Sequence, residues 1–153
     1  MLKNRVEKLA NKYQKEAIKI RRHLHQNPEL SFEEVKTGKF IAEKLKEFEI
    51  PHKHGVADNG VVGLIQGKNP QKKVIALRAD IDALPIQETN KVRYKSKNEG
   101  VMHACGHDVH TASLLGVSKI LNELKSEFEG TIKLIFQPAE ERLPGGASLM
   151  IKE

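Results

Sequence analysis

Two apolar runs, KVIALRAD (73–80) and TIKLIFQP (131–138), constrain this chain more than any other feature. Both read as β-strands, and the second is continuously apolar, as expected of a strand covered on both faces. Between them lie a long polar loop and a helical stretch whose apolar stripe is Leu114, Val117, Leu121 and Leu124. Asp108 is the expected N-cap of that helix, and Gly130 follows its end. Strand, loop, helix and strand make a βαβ unit. Such crossovers are right-handed and leave their strands parallel. The C-terminal ends of both strands then face one edge of the sheet, where open α/β sheets bind ligands.

The preceding segment adds helices and one more strand. Val6, Leu9, Tyr13, Ala17, Ile20 and Leu24 recur at spacings of three and four, which predicts an amphipathic helix over about 2–26. Pro28 closes it and forces Asn27 out of helical geometry. SFEE (31–34) has the form of a capping box, with Ser31 and Glu34 expected to satisfy free N–H groups at the start of a second helix. The apolar face of that helix is Val35, Phe40, Ile41, Leu45 and Phe48. GVVGLIQG (60–67) reads as a strand, and KNPQ is the turn before KVIALRAD. A length of 153 residues suits about one domain.

The net charge of +6 raises nucleic acid or an acidic membrane as partners. The lysines alternate with glutamates, however, as in AEKLKEFE, and no basic block is interleaved with aromatics. A solvated helix face is the better reading, with no nucleic acid and no membrane partner expected. No apolar run approaches the ~20 residues of a membrane-spanning helix. The N-terminus lacks a signal-peptide core, and the single cysteine rules out an internal disulfide, so a reducing cytoplasm is the expected compartment.

The chemistry gathers in MHACGHDVHT (102–111), where three histidines, the only cysteine and an aspartate stand together. Cys105 and His107 are two apart across Gly106, which permits a sharp backbone path, so both side chains can close on one ion. Thiolate and imidazole suit zinc or a similar borderline metal. A structural zinc site would need further cysteine pairs, so any metal here belongs to an open, catalytic site. RADID (78–82) and QPAEE (137–141) reach the same sheet edge. After an apolar strand, Glu140 and Glu141 can divide labour, one ligating a metal and the other taking a proton from water. Alone, such a pair is an ordinary exposed turn. Asp80 and Asp82 can orient a ligand imidazole, and Arg78 can merely pair with them.

Other candidates are weaker. His23 and His25 belong to the end of the first helix, in a segment that can pack near the site. His52 and His54 flank Lys53 in a short polar stretch and are expected to face solvent. His103, Asp108 and His110 are candidates for groups behind the ligands or beside the substrate. Neither a GxSxG elbow nor a phosphate-binding glycine loop is present.

RRHLHQNPELSFEE, LRADIDALPIQE, MHACGHDVHTASLLG and IFQPAEE followed by GGA together resemble the amidohydrolase branch of peptidase family M20. That branch includes hippurate hydrolases, N-acyl-amino-acid amidohydrolases and auxin-conjugate hydrolases. The resemblance implies part of a three-layer α/β/α metallohydrolase catalytic domain with a largely parallel sheet. It implies two divalent metals, Zn, Mn, Co or Ni, bridged by water. Cys105, His107 and Glu141 match metal ligands, and Glu140 matches the general base for attack on an amide carbonyl. Asp82 matches the catalytic aspartate, whereas Asp80 stands where the wider family has a histidine ligand, so its role is open. The implied substrate is an N-acyl amino acid, and the implied full-length enzyme is a homodimer.

Members of that branch are more than twice as long, with further histidine ligands and an inserted dimerisation and lid domain after the PAEE block. Residues 1–153 are therefore expected to be the N-terminal portion of such a catalytic domain. The alternative function is an incompetent fragment that binds metal weakly or self-associates, its uncovered sheet edge favouring association.

Overall fold

The computed structural model describes residues 1–153. Four strands form one sheet: β1 (His52–Val56), β2 (Gly60–Gln66), β3 (Val74–Asp80) and β4 (Thr131–Gln137), in the order β1-β2-β4-β3. β3 and β4 are parallel, with Val74 opposite Thr131 and Asp80 opposite Gln137. The crossover between them carries α3 (His107–Glu123) and a short 3-10 turn, Lys125–Glu127. The expected βαβ unit is present.

The sheet over these residues is mixed rather than largely parallel. β2 runs antiparallel to β4, and β1 antiparallel to β2. The cause is local. Ala57 and Asp58 take φ of 50° and 67°, the left-handed geometry that closes tight hairpins, so β1 must return against β2. β1 was not legible as a strand. Its sequence, HKHGV, is polar, it lies at the sheet edge, and a register shift between His54 and Val56 interrupts its pairing.

The core lies between the sheet and two helices. Val61, Ile65, Leu134, Phe136 and Ala79 present one face to Ile41 and Leu45 of α2 (Val35–Glu47) and Leu115 of α3, all buried. Each such aliphatic side chain contributes about 1.5–3 kcal/mol on leaving water. α1 (Leu2–Gln26) packs along α3 and adds Ile20 and Leu24 to the cluster. It ends where expected, with Asn27 at φ −128° and ψ 53°. On the opposite face lies only the short α4 (Gly146–Lys152), whose Met150 and Ile151 approach Val62 and Ile135. Helices thus stand on both faces of an α/β sheet.

Three sequence expectations fail in detail. α2 begins at Val35 rather than Ser31, with Glu34 as N-cap and no side-chain cap hydrogen bond; Val35 itself is 61% exposed. Asp108 is not the N-cap of α3: that position is Gly106, and Asp108 lies buried in the first turn. Val117 is exposed, while Thr111, Ala112, Leu115 and Ser118 make the buried stripe with Leu114. No helix is long and apolar enough to cross a membrane.

Candidate metal centre

The parallel register brings the ends of β3 and β4 side by side. Beyond Asp80, the Ile81 N–H donates to the Gln137 carbonyl at 3.0 Å, carrying the pairing one step further so that Asp82 stands beside the PAEE turn. α3 enters this edge from the loop, and Gly106 at φ 82° makes the bend that places Cys105 and His107 around its first turn. Cys105 Sγ, a His107 ring nitrogen and a Glu141 carboxylate oxygen lie within 4.8 Å of one another. Asp80, His107 and His110 make a second such group. His107 is common to both.

The His107 ring is held from behind. Its Nδ1 lies 3.0 Å from the Asp82 carbonyl oxygen and 3.2 Å from Asp82 Oδ1, so Nδ1 carries the proton and donates it to Asp82. Nε2 then keeps a free lone pair, and it faces Glu140 at 4.0 Å and Glu141 at 3.9 Å. Burial disfavours the imidazolium, but hydrogen bonds to the Asp82 side chain and backbone outweigh it, and the ring's pKa is raised. A fixed tautomer with one open nitrogen is the arrangement seen in metal-binding histidines.

Asp82 is itself a buried hub. The Ser31 hydroxyl donates to its Oδ2 at 2.7 Å, and the Glu141 backbone N–H donates to the same oxygen at 3.0 Å. Burial opposes its charge. Hydrogen bonds from His107, the Glu141 N–H and Ser31 prevail and hold its carboxyl at about 2. Asp82 thus ties β3, the second-helix entry, α3 and the PAEE turn together.

Glu34 does comparable work on the other side of that turn. It is fully buried; Oε1 accepts the Ala139 N–H at 2.7 Å, and Oε2 accepts Asn59 Nδ2 at 3.1 Å. Burial pushes its carboxyl up, and these hydrogen bonds oppose the shift. Ser31 and Glu34 therefore do not form the expected capping box. Both side chains turn inward to the site.

A third support reaches the site helix from α1. His25 Nδ1 lies 2.7 Å from Asp108 Oδ2 and Nε2 lies 3.1 Å from Glu88 Oε1. Arg21 Nε pairs with Asp108 Oδ2 at 2.8 Å. The Ser96 N–H holds the other Glu88 oxygen at 2.6 Å. His25 and Asp108 are both buried, so α1 is fastened to the first turn of α3 directly after His107. Glu88 was not singled out in the sequence; nothing local marks it, because its partners lie on α1 and in the 90–96 loop.

The remaining candidates divide. Asp80 pairs with Arg78, whose Nε lies 3.1 Å from Oδ1 and whose Nη2 lies 3.1 Å from Oδ2, so the simple pairing reading holds for that arginine. Asp80 also stands within reach of His107 and His110, whose rings are 5.8 Å apart. His103 is buried, and neither ring nitrogen has a hydrogen-bond partner. Burial lowers its pKa to about 4, which keeps it neutral at pH 7. His54 is exposed, as expected, and His52 Nδ1 donates to the Ile50 carbonyl at the start of β1. His23 stacks on Phe40 at 4.3 Å. None of these three joins the site.

The donor set fits a divalent transition metal. A thiol, an imidazole with its rear nitrogen engaged and a carboxylate converge, which is the chemistry of an open zinc-type site. The crowding of acidic groups agrees: a hydrogen bond to Glu141, burial and the charges of Glu141, Glu140 and Asp80 all push the Cys105 thiol up. A bound cation relieves that repulsion and takes the thiolate.

A model of peptidase family M20/M25/M40 matches residues 76–153. The chain is 46% identical over 152 residues to an N-acyl-L-amino acid amidohydrolase of Geobacillus stearothermophilus, covering 99% of this chain and 41% of that protein. It is 52% identical over 140 residues to a hippurate hydrolase of Campylobacter jejuni, covering 92% of this chain and 36% of that one. A dinuclear metal-binding peptidase of the M20 family from Bacillus subtilis superposes with a TM-score of 0.87 at 45% identity, over 93% of this chain and 40% of the other. The chain thus spans about two fifths of the length of the relatives it matches. With that agreement in sequence and fold, the chain belongs to the peptidase family M20/M25/M40.

Proposed function

We propose that the protein is a metal-dependent amidohydrolase that cleaves the amide bond of N-acyl amino acids, with Cys105, His107 and Glu141 as metal ligands and Glu140 as general base. The observation that carries this reading is the polarity of His107: Nδ1 is committed to Asp82, while Nε2 faces Glu140 and Glu141. The relatives named for N-acyl amino acid and hippurate hydrolysis supply the substrate class.

When bound, divalent metal supplies Lewis-acid polarisation of the amide carbonyl and acidifies water. This chain's residues do the rest. Asp82 keeps the proton of His107 on Nδ1. Glu140, more exposed than its neighbour, takes a proton from the attacking water and returns it to the leaving nitrogen. Glu141 stays on the ligand side because its backbone is tied to Asp82. Dimerisation of the full-length enzyme belongs to the same reading.

A second reading has its own observation. Both ligand groups use His107, so these residues supply one three-donor site rather than two complete ones. On that reading the 153-residue chain binds one metal without turnover.

The test is hydrolysis of N-acetyl amino acids and hippurate by chain loaded with Zn²⁺, Mn²⁺, Co²⁺ or Ni²⁺, with metal content measured on the same preparation and Glu140→Gln as control. Metal-dependent turnover lost in Glu140→Gln supports the first reading. One metal per chain and no turnover supports the second.

A further inference from the structure

We infer that Glu34 is a positioning residue for the metal centre: through the backbone of Ala139 it sets where Glu140 and Glu141 stand. The inference rests on the reading of Glu141 as a metal ligand and goes beyond it to a residue 105 positions away from Ala139 in sequence.

Ala139 is the hinge of the turn. It is a non-glycine residue at φ 47°, fully buried, directly before the two glutamates. An L-residue in that region carries about 1–2 kcal/mol of strain, and such strain persists only where the surroundings over-determine the conformation. Two hydrogen bonds do so here. The Ala139 N–H donates to Glu34 Oε1 at 2.7 Å, and its carbonyl accepts the Gly146 N–H at 2.9 Å. Gly146 admits that approach because it has no Cβ; one built there would lie 1.9 Å from the Pro138 carbonyl oxygen.

Glu34 has no other evident purpose. It is a fully buried carboxylate that makes no salt bridge, at the N-cap of α2 without capping it. Its partners are the Ala139 N–H and the side chain of Asn59, whose Nδ2 also donates to the Phe32 carbonyl. A buried carboxylate of this kind is costly, and its shortest hydrogen bond falls on the strained residue of the turn that presents the glutamates. Ser31, three residues earlier, fixes the same turn from the other side through Asp82 and the Glu141 N–H. One short segment therefore grips the PAEE turn at Ala139 and at Glu141.

The experiment is a double-mutant cycle on Co²⁺ affinity, read by thiolate-to-cobalt absorption from Cys105, in the full 153-residue chain. Glu34→Ala is expected to weaken Co²⁺ binding by about 10-fold or more, as loss of a group behind the ligands does. It is expected to add nothing in a Glu141→Ala background, because both changes remove the same ligand. Combined with Cys105→Ser, read by competition, its loss is expected to multiply instead. Glu34→Gln, which retains an acceptor for the Ala139 N–H, is expected to keep wild-type affinity within about 3-fold. Should Glu34→Ala fail to fold, Glu34→Asp replaces it, since the shorter carboxylate cannot reach Ala139. Unchanged affinity in Glu34→Ala, or a loss that multiplies in the Glu141→Ala background, overturns the assignment. Binding untouched by Glu141→Ala overturns the metal-ligand reading, and the assignment with it.

Discussion

His107 Nδ1 rests between two oxygens of one residue, 3.0 Å from the carbonyl and 3.2 Å from Oδ1 of Asp82. The contact fixes the imidazole before any ion arrives. Asp82→Ala leaves the carbonyl but removes Oδ1, together with the Oδ2 that accepts the Ser31 hydroxyl and the Glu141 N–H. Metal affinity is expected to fall by about 10–100-fold, and each stranded buried donor adds about 1–3 kcal/mol of instability. Isothermal titration with Zn²⁺ and urea unfolding measure the two effects separately.

His103 makes acid stability testable. Its folded pKa is about 4, against 6.5 for the free side chain. Between those values the unfolded chain binds more protons than the folded one, so stability falls as pH falls. The loss begins as pH drops through about 6.5, is complete below about 4 and amounts to about 3 kcal/mol. Urea midpoints measured across that window are expected to flatten in His103→Asn. A variant with the wild-type slope shows that another group carries it.

His25 tests whether α1 belongs to the site. Replacing it with alanine leaves Asp108 to Arg21 alone and removes the link to Glu88. Leaving these buried carboxylates short of a hydrogen-bond partner costs about 1–3 kcal/mol, and amide exchange in the first turn of α3 should quicken along with it. His25→Ala within 1 kcal/mol of wild type, roughly the value of an exposed pair, argues that the network is idle.

Two glycines should behave differently. Gly38 lies in α2 with no room: an added Cβ would stand 2.3 Å from the Asn59 carbonyl oxygen, beside the side chain that holds Glu34. Gly106 has open space but φ 82°. Gly106→Ala is expected to cost about 1–2 kcal/mol of backbone strain. Gly38→Ala is expected to cost more and to weaken metal binding as well. Thermal melts and Co²⁺ titration compare them.

What was legible in the sequence was whatever depends on continuous apolar patterning. β3, β4 and the crossover between them could be read because both strands are apolar and α3 repeats its buried face, and that alone brought RADID, HACGHD and PAEE to one edge. The supports behind the site could not be read. S-x-x-E looks the same whether its partners are its own helix or lie 51 and 105 residues away, as they do for Ser31 and Glu34. Asp108 likewise has the chemistry of an N-cap, and only the position of Arg21 and His25 turns it inward. β1 escaped because its pairing is a backbone matter and only Val56 among its side chains is buried.

The most direct measurement is cobalt substitution of the metal centre. Co²⁺ added to the chain is expected to give a saturable thiolate-to-cobalt absorption band that disappears in Cys105→Ser, weakens in Glu141→Ala and survives in His54→Ala. Saturable cobalt binding with no thiolate band, or a band indifferent to Glu141→Ala, would contradict the assignment of Cys105, His107 and Glu141 as one metal site.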